Sequence, residues 1–161
     1  MQGMSLAPLI IPPVIIGIGI YILMLKWGLF GSLLSLVVGH TVLAIPFVIV
    51  AVSTSLSQFD PAQEQAAAIL GAGPWTRFWR VVFPQILPGI IAGALFAFVT
   101  SWDEVVVSTF LVSPNFRTLP VEMWIQARTT VTPVLAALST ILMVVSTLAL
   151  VGMLRLQREK K

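Results

Sequence analysis

An all-α, polytopic membrane protein with about four transmembrane helices is the fold class this sequence predicts, and three observations predict it. Of 161 residues, 58% are hydrophobic and 9% charged, against about 25% charged in a typical soluble domain. Nine basic and six acidic side chains cannot cover a domain of this size without leaving large apolar patches in water. Four runs are long enough to span a bilayer, which takes about 20 apolar residues. Met1 to Leu25, Val81 to Trp102 and Thr129 to Leu154 carry no charge, and Trp27 to Phe59 carries only His40. Nothing alternates with period two, as the strands of a membrane barrel would.

The first span is expected at 5–25. It has no basic n-region, its apolar stretch is too long for a secretion signal and no small-residue cleavage site follows, so it is expected to be retained. The second, at 32–56, contains His40 and Pro46; like Pro12 and Pro13 in the first span, Pro46 is expected to break or kink its helix. The third is expected at 86–111, where Gly89-x3-Gly93 would permit close helix contact. The fourth covers 133–154.

Orientation follows from the basic residues of the short connections. Arg77, Arg80, Arg155, Arg158, Lys160 and Lys161 fall on one side, and Lys26, Arg117 and Arg128 on the other. The majority places both termini in the cytoplasm, and with them the loop at 57–85.

Within that loop, Asp60-Pro61-Ala62-Gln63 is a helix start, with Asp at the N-cap, Pro at the first helical position and Gln three residues after the cap. Ala66, Ala67 and Ala68 carry the helix, and Gly71-Ala72-Gly73-Pro74 stops it. A second short helix is expected from Pro74, with Trp75, Phe78, Trp79, Val82 and Phe83 at helical spacing, lying at headgroup level. An alanine-rich cytoplasmic helix lets another protein approach its backbone, so it is either a docking element or a well-capped connection.

Gln65-Ala66-Ala67, three residues, Gly71, nine residues, then Val81-Val82-Phe83-Pro84 resembles the cytoplasmic signature of ABC importer permeases, Glu-Ala-Ala, three residues, Gly, nine residues, Ile-x-Leu-Pro. Gln65 departs from the acid, with Glu64 one residue earlier; Val81 and Phe83 replace Ile and Leu. Gly39-His40-Thr41-Val42, Ala44-Ile45-Pro46-Phe47, Ser101-Trp102-Asp103-Glu104-Val105-Val106 and Arg117-Thr118-Leu119-Pro120 resemble the spermidine/putrescine branch.

The resemblance implies a permease subunit of a binding-protein-dependent importer in a bacterial inner membrane. Its implied partners are an ABC ATPase, a second permease subunit and a solute-binding protein, besides membrane lipid. The ATPase would be met by Glu64, Gln65, Ala66, Ala67 and Gly71. Such permeases have six spans, so residues 1–161 are expected to form a single permease domain equivalent to the C-terminal portion of one. No cofactor is expected, ATP being bound by the separate subunit: the chain lacks the Gly-x4-Gly-Lys-Ser/Thr cradle. A channel or structural membrane subunit without an ATPase is the alternative.

Trp102, Asp103 and Glu104 are the candidate substrate path, because a carboxylate at bilayer depth costs a few kcal/mol unless paired or wet. They form either a cation-attracting wall, with an indole for cation–π contact, or a helix end in the outer headgroup zone. Thr100, Glu104 and Ser108 are expected to share a face at i, i+4 spacing. His40 either hydrogen-bonds a neighbouring helix or lines the path. One His and no Cys exclude a metal site, and no intramembrane protease motif is present. Scattered basic residues and a net charge of +3 exclude a nucleic-acid surface. The segment from Pro120 to Arg128, with Val121, Trp124 and Ile125 along one side, is expected as an outer surface helix, which the resemblance implies meets the solute-binding protein.

Overall fold

The computed structural model describes residues 11–130 and 132–158, the side chains at 149 and 152–158 excepted. Residues 5–10 of the expected first span, and Lys160 and Lys161 of the basic C-terminus, lie outside the described residues. The chain forms two compact units, Met1–Val112 and Ser113–Lys161.

In the first unit, α1 spans Pro13–Lys26 and α2 spans Leu33–Ser57. The prolines of the first span begin α1 and do not kink it: Pro12 is the N-cap and Pro13 the first helical residue, where a missing N–H costs nothing. Ser32 caps α2 by accepting from the Ser35 N–H at 3.3 Å, and α2 runs unbroken through buried Pro46.

Helix α3, Pro61–Ile69, follows the capping pattern in part. Asp60 accepts from the Ala62 N–H at 2.9 Å, but Gln63 does not reach back to complete a box; it accepts from Gln85 Nε2 at 2.7 Å. Gly71 ends the helix at φ +84°, a left-handed conformation that side chains with a Cβ rarely adopt. The Ala72 N–H then returns to the Ala67 carbonyl and the Gly71 N–H to that of Ala68, both at 3.0 Å, which is the Schellman arrangement.

Beyond it the structure differs from the two-helix expectation. Helix α4 (Pro74–Arg77), a π turn (Phe78–Val82) and α5 (Phe83–Trp102) are contiguous, a rod of 29 residues. Pro84 has no N–H for the Arg80 carbonyl and its ring would crowd that carbonyl in a regular α-helix. The π turn widens the backbone just before it, with the Phe83 N–H bonded to the Phe78 carbonyl, so the helix continues instead of restarting.

Helices α2 and α5 are the most extensively packed pair. Small residues explain how closely they approach. A Cβ placed on Gly89 would collide with Ser55 Oγ and lie 2.7 Å from the Ala51 carbonyl, and one on Gly93 would be 3.1 Å from Val48 Cα. Phe47 and Phe96 stack alongside, centroids 6.3 Å apart. The expected close contact at Gly89-x3-Gly93 is therefore present.

The third span does not continue to 111. It stops at Trp102, and a separate helix α6 covers Val106–Leu111. Ile20 and Met24 of α1, Leu36 of α2, and Val107 and Leu111 of α6 form the core of the unit. Leu33–Ser57 and Pro74–Trp102 are long and apolar enough to cross a membrane.

In the second unit, α7 spans Leu119–Thr129 and α8 spans Pro133–Arg158. Helix α7 covers the segment expected to be helical; Val121 is buried, Trp124 exposed and the Arg128 guanidinium lies 4.5 Å above the Trp124 ring. Arg117 donates to Glu122 at 2.9 Å, and with Gln126 this contact holds the Glu122 carboxyl below the usual carboxylate range.

Candidate functional site

The break between α5 and α6 is held by side chains. Glu104 turns inward, 8% exposed, and its carboxylate accepts from the Val107 N–H, the Ser108 N–H and the Ser108 hydroxyl, each at 2.7 Å. Backbone N–H groups at the start of a helix lack intrahelical partners, and a carboxylate satisfies them with charge-assisted bonds. The expected shared face of Thr100, Glu104 and Ser108 is therefore absent. Glu104 does meet Ser108, but as the cap of a new helix.

His40 of α2 joins the two sides of this break. Its Nδ1 is 2.6 Å from Ser101 Oγ on α5 and its Nε2 2.9 Å from Ser108 Oγ on α6. The Ser108 hydroxyl has one proton, given to Glu104, so it accepts from a protonated Nε2. In neutral imidazole, Nδ1 then accepts from Ser101. Four side chains, three on α2, α5 and α6 and one in the break, are bonded in series.

Glycines bring α6 close enough for this. A Cβ on Gly39 would sit 2.6 Å from Leu111 Cδ1, and one on Gly17 would sit 2.7 Å from Phe110 Cδ2. The Ser35 hydroxyl donates to the Ser32 carbonyl at 2.7 Å and lies 3.3 Å from the Leu111 carbonyl at the far end of α6. The three path candidates thus part ways. Asp103 is exposed, Trp102 lies against Phe98 with ring centroids 5.3 Å apart, and Glu104 is enclosed. The one signal that could have located the break is an acidic residue three positions before the Val107 N–H.

The docking candidates cluster at α3. No residue of α3 is buried, and it ends in Ile69 and Leu70, each 87% exposed. Gln65 and Ala66 are exposed, Ala67 is half-buried with its carbonyl engaged by Ala72, and Gly71 forms the turn. Glu64 faces back towards Arg77 at 3.7 Å. Trp75, Phe78, Trp79 and Phe83 make a continuous aromatic cluster beside it, the Trp79 and Phe83 centroids 4.8 Å apart.

A family profile described as "Binding-protein-dependent transport system inner membrane component" matches residues 1–161. The chain is 31% identical over 159 residues to the spermidine/putrescine transport system permease protein PotC of Escherichia coli strain K12, covering 99% of this chain and 60% of that protein. It is 33% identical over 146 residues to the putrescine transport system permease protein PotI of the same strain, covering 87% and 52%. It is also 32% identical over 167 residues to the molybdenum transport system permease protein ModB of Mycobacterium bovis, covering 94% and 63%. The chain thus spans roughly half to two thirds of the length of these relatives.

Proposed function

As the chain belongs to the family of binding-protein-dependent transport system inner membrane components, we propose that it forms the membrane path of an ABC importer for a small organic polycation of the spermidine or putrescine type, coupled to an ATPase through α3. The observation that carries this reading is α3 itself, a capped helix with no buried residue whose exposed end presents Ile69 and Leu70. Exposed apolar side chains clustered at one end of a polar helix mark a surface that a partner covers. The ATPase is that partner, and its nucleotide-driven motion enters the membrane through the rod that begins at Pro74.

A second permease subunit and a solute-binding protein complete the assembly, with both termini and the 57–85 loop in the cytoplasm. Helix α5 has 20 residues, about 30 Å at 1.5 Å per residue, which equals the hydrocarbon thickness. With the aromatic cluster at the inner headgroups, Asp103 lies near the outer boundary.

The cation class is supported by an exposed carboxylate at Asp103, the Trp102 indole next to it and the lack of any basic residue in α5. A path for anions would offer Arg, Lys or helix N-termini instead. Similar identity to PotC and ModB leaves the substrate to be argued from these side chains. The chain has no cysteine, so a single Ala66→Cys gives one thiol for a crosslinker. Capture of the ATPase in the assembled importer is the expected result; failure to capture it at any spacer length sinks the docking assignment.

A further inference from the structure

We propose that His40 is a positioning residue that assigns the two adjacent carboxylates to different tasks, Glu104 to holding the helix break and Asp103 to meeting the cation; this rests on the polycation reading given above. Glu104 has three donors on its two oxygens and is 8% exposed. A passing ammonium could bind it only by taking the cap from α6. Asp103, one residue earlier, is exposed, and its carboxylate has no hydrogen bond or ion pair among the described residues.

The division depends on where the chain turns between Trp102 and Val106, and His40 spans that turn. In the Nε2–H tautomer the protons of these contacts point the same way: Ser101 O–H to Nδ1, Nε2–H to Ser108, Ser108 O–H to Glu104. Bonds aligned in series strengthen one another, and the last ends on a carboxylate, where the gain is greatest. Removing His40 leaves Ser101 and Ser108 each short of a partner in a low-dielectric setting, and α5 and α6 lose the side-chain bridge that His40 makes between them from α2. Glu104 keeps its own three donors, but the turn they close is no longer held in register with α5 from α2.

The test uses the complete importer in its membrane, with radiolabelled putrescine as the probe. Asp103→Asn should raise KM about tenfold while keeping Vmax. Glu104→Gln and His40→Ala should lower Vmax about tenfold with KM near the parent value, and their combination should be no worse than either alone, as for residues in one network. His40→Gln, whose amide can accept from Ser101 and donate to Ser108, should restore most of the rate. A Glu104→Gln variant that raises KM as Asp103→Asn does, or a His40→Ala variant with parent kinetics, overturns the proposal.

A second readout does not depend on the substrate. Val107→Cys, at a fully buried site beneath the cap, should react with a water-soluble methanethiosulfonate about tenfold faster once His40→Ala is added. Equal rates overturn the positioning role. Absence of putrescine uptake by the parent importer overturns the substrate reading alone, and the labelling rates still decide the role of His40.

Discussion

Glu64 and Arg77 face each other across the Gly71–Pro74 turn, Oε1 3.7 Å from Nη1, so the acid nearest the alanine pair points back at the rod it is joined to. With the bond between Gln63 and Gln85, 2.7 Å long, it makes a two-point strut between α3 and the α4–α5 rod. Both side chains of the ion pair are partly exposed, which limits the pair to about 0–1 kcal/mol. Arg77→Ala should therefore leave the protein folded and inserted while lowering the transport achieved per ATP hydrolysed. The double exchange Glu64→Arg with Arg77→Glu should regain part of that ratio. Parallel assays of uptake and phosphate release in proteoliposomes check both.

Gly71→Leu should uncouple transport without preventing insertion. At φ +84° a side chain with a Cβ costs about 1–2 kcal/mol, enough to unwind the end of α3 and displace Ile69 and Leu70. Nothing lies within 4 Å of a Cβ built there, so the effect is conformational and not steric. Normal membrane levels on an immunoblot together with lost uptake are expected; normal uptake would show that the α3 terminus is not used.

Gly89→Leu should act oppositely, through packing. Its side chain would enter the space held by Ser55 and the Ala51 carbonyl, and overpacking of this kind costs about 1–3 kcal/mol. A lower unfolding temperature in detergent is expected. Gly19→Ala is the control, since nothing lies within 4 Å of a Cβ at Gly19.

The start of α7 should loosen in acid. The hydrogen bond from Arg117, then that from Gln126, hold the Glu122 carboxyl below its ordinary range. A lowered value in the folded state means that the contact stabilises at neutral pH and is lost as pH falls through that lowered value. Amide hydrogen exchange along α7, corrected for its intrinsic pH dependence, should accelerate as the pH falls below the ordinary glutamate range, and Glu122→Gln should flatten the profile. A profile unchanged by that substitution would place the acid sensitivity elsewhere.

Much of the architecture was legible before folding because it depends on local quantities. The membrane class comes from charge-free runs, the α3 start from Asp60 and Pro61, and its end from Gly71. The continuation of the rod through Pro84 was not legible, because whether a proline ends a helix depends on whether a π turn can open ahead of it. The cap pattern also suggested a role for Gln63 that its contact with Gln85 replaces.

At the candidate site the sequence by itself determined which residue types were present near the end of the third span: two acids, an indole, hydroxyls and, far upstream, one imidazole. Only the tertiary structure decided which acid is available. His40 lies 61 residues from Ser101 and 68 from Ser108, and it reaches both because glycines at 17 and 39 let α6 settle against α1 and α2. Side-chain direction at a helix break is set by which buried donors lack acceptors, and that deficit exists only after the helices have packed.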